Sequence, residues 1–267
     1  MKKYCFSVIF LTICLLLSSV HGYSQRFIGF VAAGANFGQI EGDDVHGFTK
    51  IGANGGLGIK LPVNRKQTMS VTAELLYVQK GAYSHHFVDT LYYHSSMFED
   101  VDRTQPFKTY SKCNISLDYV QIPVMFNYED VRTGCTFGLG FSWSRLVRAK
   151  ETYNGFKRTT SIRSGTYKTS DWSVLANVDV RLYKNLSLGL RWEYSMVPIR
   201  TMHFLCGSYN ADGSFNVKRD DYNKMHNHVL SLRLCYYINE QFERNTRTDK
   251  YGNTIGTKWN RVIPEYE

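Results

Sequence analysis

Between Trp172 and Ile199 the chain alternates with a period of two. Trp172, Val174, Ala176, Val178, Val180 and Leu182 are apolar, while Ser173, Asn177, Asp179 and Arg181 between them are polar. That pattern marks a β-strand with two unlike faces. Lys184-Asn185 suits a two-residue hairpin turn, after which Leu186, Leu188, Leu190, Trp192, Tyr194 and Met196 oppose Ser187, Gly189, Arg191, Glu193 and Ser195. Strands of soluble sheets run to about 5–6 residues, whereas a strand that crosses a bilayer needs about 9–11. The lengths favour a barrel whose apolar face meets lipid and whose polar face fills the lumen. Trp172, Tyr183, Trp192 and Tyr194 lie toward strand ends, the level at which aromatic side chains meet lipid head groups.

The same alternation recurs at Phe27–Gln39, Ile51–Lys60, Thr68–Tyr83, Ser116–Tyr128, Gly134–Leu146 and Met225–Asn239, which with the hairpin makes eight segments. Pro123 removes one ladder donor and predicts a local bulge or irregularity. Short links (Leu61–Gln67, Glu129–Thr133, Lys184-Asn185) alternate with long ones, of which Ser84–Lys112 and Val147–Ser170 are the longest. Long structureless loops argue against a compact soluble domain, and this regular alternation is that of an outer-membrane barrel. The expected fold is all-β: an eight-stranded antiparallel transmembrane β-barrel over residues 25–239, with short periplasmic turns and long extracellular loops.

The two ends change the picture. Lys2-Lys3, an apolar run from Phe6 to Leu17 and small residues at Gly22 and Ser24 predict a signal peptide over residues 1–24. No later run is apolar enough to stop export, so any membrane span must be built of strands. Alternation stops after Asn239, and residues 240–267 read as a polar periplasmic tail, either disordered or packed under the barrel. Aromatics at 15% and a mean hydropathy of −0.32 coexist, as they do where only every second strand residue faces lipid. Loss of Lys2 and Lys3 lowers the formal charge from +9 to +7. An exported chain seldom meets nucleic acid, so this basic balance points to the membrane surface or to solubility. Of the cysteines beyond the leader, Cys135 falls on the lipid phase and Cys235 on the lumen phase, while Cys113 and Cys206 lie in or beside long loops where a disulfide is open to them.

Strand phase assigns Lys60, Glu74, Lys80, Asp179, Arg181, Arg191, Glu193 and Arg233 to the lumen. An interior of eight strands is just wide enough for side chains to fill, so these mixed charges predict a salt-bridged plug and no nutrient pore. A two-residue turn that pairs Tyr183 with Leu186 would place Asp179 beside Arg191. The loop from Val147 to Ser170 carries Arg148, Lys150, Lys157, Arg158, Arg163 and Lys168 against Glu151, an excess suited to lipopolysaccharide phosphates or simply to solvent. His226 and His228 share a strand face, and His85, His86, His94 and His203 lie in long loops, without a carboxylate or cysteine at the spacing a metal site needs. Asp89, His94, Asp100 and Asp102 are raw material for an enzyme at the outer rim, but the chain carries no nucleophile elbow or phosphate-binding glycine motif. Neither catalysis nor a cofactor is expected.

Glu74-Leu75-Leu76-Tyr77-Val78-Gln79-Lys80-Gly81 and Leu117-Asp118-Tyr119-Val120-Gln121-Ile122-Pro123 resemble recurring strand motifs of the PorT-like outer-membrane barrels of Bacteroidetes-type bacteria. Gly34-Ala35-Asn36-Phe37 and the closing Cys235-Tyr236-Tyr237-Ile238-Asn239 are similar to them as well, so the resemblance runs from about Phe27 to Asn239. It implies an architecture and not a reaction. The family's named member serves a secretion pathway across the outer membrane, which implies a monomeric, non-enzymatic module for binding, assembly or secretion. Its expected partners are outer-membrane lipid, lipopolysaccharide and envelope or secretion-machinery proteins. An adhesin working through long loops and a lipid- or peptide-modifying rim enzyme are the alternatives.

Overall fold

The computed structural model describes residues 27–42, 47–64, 67–88, 110–153, 156–158, 162–209, 215–238, 240–248 and 254–262. The leader at residues 1–24 and the candidates His94, Asp89, Asp100 and Asp102 lie outside them. The strands are β1 (Ile28–Glu41), β2 (Lys50–Pro62), β3 (Met69–Val88), β4 (Tyr110–Asp130), β5 (Cys135–Tyr153), β6 (Phe156–Arg158), β7 (Ser170–Tyr183), β8 (Leu186–Ser195), β9 (Arg200–Tyr209), β10 (Phe215–Tyr237), β11 (Gln241–Thr248) and β12 (Thr254–Val262). Eight of them, β1-β2-β3-β4-β5-β7-β8-β10, pair antiparallel in that order, and β10 returns to β1 from Phe30↔Tyr237 to Glu41↔His226. A closed ring has no unpaired edge, which is what lipid demands of a β-structure.

The ring is inside out by the standard of a soluble protein. Lys60, Glu74, Lys80, Arg191, Glu193 and Arg233 are buried within it, while Leu139 is 69% exposed and Ile51, Leu57, Leu75, Phe126 and Phe141 lie open on its outer wall. Charged side chains are almost never buried beneath exposed aliphatic ones in water; the arrangement is stable only where hydrocarbon surrounds the wall. Toward the extracellular end the polarity reverses. Ile40, Ile115, Leu117, Leu146, Ala149 and Met225 pack inward as an apolar cluster, while Arg148 and Lys150 point outward. A wall that is apolar out below and polar out above locates the edge of the bilayer.

Several local expectations are corrected. At Pro123 the expected irregularity takes the form of a break in the β3–β4 pairing between Ala73↔Val124 and Leu76↔Gln121, without a shift of register. A bulge lies in β5 opposite Asp118/Tyr119, where Asp118↔Arg148 is followed by Tyr119↔Leu146 and Val147 is the extra residue. In the β7–β8 hairpin the register slips between Arg181 and Tyr183, so that Asn177, not Asp179, faces Arg191, and Asp179 faces Gly189. The slip aligns residues of like phase directly across the pair, where the unslipped turn would have set them diagonally. The long Val147–Ser170 loop is largely ordered: β5 continues to Tyr153, β6 folds back on it, and Ile162–Ser164 forms one 3-10 turn that leads Tyr167 into the apolar cluster. The last long link holds β9, paired with the upper part of β10. Beyond the ring, Gln241–Thr248 and Thr254–Val262 pair as a second, two-stranded sheet, β11–β12. Glycine is required at Gly138, where a Cβ would run into the side-chain oxygens of Asn127 and Asn177.

This topology fixes an orientation that labelling can check. In intact cells, a membrane-impermeant maleimide is expected to modify Lys157→Cys or Arg163→Cys, and Lys184→Cys only after the outer membrane is opened. Modification of Lys184→Cys in intact cells would invert the barrel.

Candidate functional site

The lumen is filled by three ionic layers, each built by neighbouring strands whose inward phase delivers charge. In the middle layer Arg191 grips Glu74 with two bonds, Nη2 to Oε1 at 2.6 Å and Nη1 to Oε2 at 3.1 Å, and Arg233 Nη2 donates to Oε2 at 2.7 Å. Planar guanidinium forks suit a carboxylate so enclosed. Asp179 points inward beside them and accepts from Asn177, so the expected Asp179–Arg191 pair is replaced by Asn177–Asp179. A cavity of about 20 Å³ among Glu74, Asn177, Asp179, Arg191, Arg233 and Cys235 is the size of a single water.

In the upper layer Lys80 Nζ lies 2.5 Å from Glu193 and 3.2 Å from Asp171, over the ring of Tyr119. Gln121 donates to Glu193, and Ser195 and Asn227 donate to Asp171. The lower layer joins Glu129 to Lys60 (2.7 Å), Arg181 (3.1 Å) and Arg261 (2.9 Å), and Glu240 to Lys60 (3.2 Å) and Arg261 (2.8 Å). Glu240 and Arg261 belong to the tail. With them comes Phe242, fully buried, its ring centroid 3.6 Å from the Arg181 guanidinium and 5.0 Å from that of Arg261. The β11–β12 hairpin is thus the floor of the barrel, held also by Phe242 N to Lys184 O and Arg261 Nη1 to Gln67 O.

Among the described residues, six cations (Lys60, Lys80, Arg181, Arg191, Arg233, Arg261) meet six carboxylates (Glu74, Glu129, Asp171, Asp179, Glu193, Glu240) in these layers. Within these layers the opposite charges balance in number and the described side chains are closely packed. Strand phase located seven of the lumen charges beside Asp179. It missed Asp171 and Glu129, which lie just outside the alternating segments, and the tail residues, which follow the point where alternation stops.

The predicted basic cluster is dispersed. Arg148 and Lys150 stand on the outer wall of β5, with Arg148 Nε 2.6 Å from Asp118; Lys157 is exposed on β6; Arg163 and Lys168 are exposed on the segment that folds back over the lumen. The side chains of Arg158, His85, His86, His203 and Cys206 lie outside the described residues, and the Cys113–Cys206 pairing with them. Cys135 and Cys235 are free thiols, Cys235 buried in the lumen. On the outer wall Trp192 Nε1 donates to His228 Nε2 at 2.6 Å, Tyr194 stacks on His226, and His226 Nδ1 meets Ser195 O. These rings form part of an aromatic girdle, and among the described residues no three metal-ligating side chains converge.

Residues 24–200 match the model of the outer membrane protein beta-barrel domain. The chain belongs to that family. Its place is the bacterial outer membrane, where the inverted walls are at home. Among solved structures this family member is similar to Neisserial surface protein A (NspA), at 13% identity over 78% of this chain and 96% of that one, TM-score 0.42. Similar too are Ail, the attachment invasion locus protein of Yersinia pestis (10% identity, 80% and 99%, TM-score 0.40), and a FadL homologue of Pseudomonas aeruginosa (8%, 79% and 90%, TM-score 0.23). No curated protein matches it in sequence.

In this outer-membrane barrel, Glu74 is the one carboxylate ion-paired with both Arg191 and Arg233 among the described residues. Glu74→Ala leaves Arg191 and Arg233 buried without their carboxylate, a cost of about 3–5 kcal/mol. It is expected to lower the temperature of the heat-modified gel shift clearly more than Asp179→Ala, and Leu75→Ala on the lipid face is expected to lower it least. The floor has its own reporter in Cys235, above the hairpin. Arg261→Ala combined with Phe242→Ala is expected to let a periplasmic thiol reagent reach Cys235, which stays protected in the parent; equal labelling of both would mean that the hairpin does not seal the lumen.

Proposed function

We propose that this outer-membrane barrel is a non-enzymatic, non-conducting module that works through its surfaces, in binding, assembly or secretion after the manner of the PorT-like barrels its strand motifs resemble. The observation that carries this reading is the lumen itself. Three ionic layers and an apolar cluster fill the ring, and the β11–β12 hairpin lies beneath it. What remains for function is the outer wall, the extracellular extensions and the periplasmic face. Its partners on this reading are outer-leaflet lipid with its lipopolysaccharide and envelope or secretion-machinery proteins.

One observation favours adhesion as a second reading. β10 runs for 23 residues and β4 for 21, about twice what a bilayer crossing needs, so ordered strand extends well beyond the membrane. Ordered extracellular strands cost less entropy on binding than loops that must first be fixed.

Two measurements test the proposal. In planar bilayers the full chain is expected to give no unitary conductance steps, and steps of defined size would overturn the plugged-module reading. Gentle cross-linking in native membranes followed by purification is expected to recover a reproducible envelope protein. Recovery of a host surface molecule alone would transfer the reading to adhesion.

A further inference from the structure

Where the outer wall leaves its apolar belt, three cations gather around one carboxylate. Asp118, opposite the bulge of β5, has a side chain only 2% exposed; it accepts from Tyr77 Oη at 2.8 Å and pairs with Arg148 Nε at 2.6 Å. Arg148 itself keeps a side chain 64% exposed. One step further up the same strand pair, Ser116 faces Lys150 in register. Across β3, Lys50 Nζ reaches the same Ser116 Oγ and Asn114 Oδ1, both at 2.7 Å. Lys50 and Lys150 thus converge on the same strand pair, near enough for the two charges to act on each other, and like charges so placed on a sheet are unfavourable unless an anion lies between or beside them. Below the cluster the wall is hydrocarbon-facing, with Tyr77, Ile122, Phe141 and Val147 exposed.

We propose that Lys50, Arg148 and Lys150 form a lateral binding site for the phosphate of a phosphorylated glycolipid in the outer leaflet. Position selects the occupant. The cluster looks sideways from the wall, immediately above side chains that contact acyl chains, so a ligand that fills it while lying along the wall has an anionic head over a hydrocarbon body. Asp118 engages Arg148 through Nε, and this fixes the guanidinium plane while leaving its outer edge toward the head-group layer. Lys50 had no place in the sequence pattern as a site residue: it opens a strand after a loop, and only the fold carries it across to β4. The inference deepens the proposed lipid partnership and rests on the lipid-facing reading of the wall.

The test titrates the full-length protein, purified in detergent, with lipopolysaccharide and with the same lipopolysaccharide stripped of its phosphates, and follows binding by native mass spectrometry. Lys50→Gln combined with Lys150→Gln is expected to weaken binding of the intact lipid by about tenfold or more, the effect of losing one to two charge-assisted contacts. The parent is expected to bind the stripped lipid as weakly as the double variant binds the intact one. Lys184→Gln with Lys224→Gln, which neutralises exposed lysines elsewhere, is expected to leave binding unchanged, and inorganic phosphate at equal concentration is expected not to compete. An unaltered heat-modified gel shift shows each variant folded, since none of these lysines enters the lumen layers. The proposal is overturned if the stripped lipid binds the parent as well as the intact one, if the control pair weakens binding equally, or if inorganic phosphate displaces the lipid. Any of these results leaves the plugged-module reading standing, because that reading is decided by conductance and cross-linking.

Discussion

An eight-stranded ring encloses a space about one layer of side chains deep, and every group placed there must find its partner within reach. Water cannot enter in bulk to solvate a stray charge, and lipid outside cannot solvate one at all. Glu74 meets this constraint with two guanidiniums, Lys80 with two carboxylates, and Glu129 with three cations. The rest of the molecule follows from it. Because the inner face is committed to mutual neutralisation, the hydrophobic effect that organises a soluble core is transferred to the outer wall, and the barrel is held together by backbone ladders and buried ion pairs.

Such a network is a mediocre source of stability, since desolvating each charge offsets much of what pairing returns. It is a strong source of register. Sliding one strand by a single residue would turn Arg191 or Arg233 into the lipid and bring a leucine into the lumen, an exchange that costs on both faces. The ionic layers therefore specify which strand faces lie inside far more sharply than an apolar interior of the same volume would.

What could be read from the sequence follows the same logic. Period-two alternation was legible wherever one face is aliphatic and the other polar, as from Leu186 to Ser195, and it located the membrane crossings. It failed in the upper part of β4, where the inward phase runs unbroken but its chemistry changes: Cys113, Ile115 and Leu117 are apolar and buried, whereas lower down the apolar residues Val120 and Ile122 are the outward ones, and this exchange of faces looks like a loss of pattern. It failed again after Asn239, because the buried face of the hairpin floor carries Phe242 beside Arg261, and a rule that equates burial with apolarity cannot recognise a strand whose buried face is half ionic. The slip beside Leu182 left no compositional sign either, and with it went the partner of Asp179.

The floor of the barrel has a consequence for how the molecule is made. Lys60, Arg181 and Glu129 belong to strands of the ring, whereas Glu240 and Arg261 follow the strand that closes it. Until those later residues dock, the periplasmic mouth holds two cations against one carboxylate, with the guanidinium of Arg181 uncovered. Docking adds one carboxylate and one cation, so the net charge of the mouth does not change; what changes is that the Arg181 guanidinium passes beneath the Phe242 ring, and a ring that has closed but not yet received its hairpin differs from a finished one by that uncovered guanidinium.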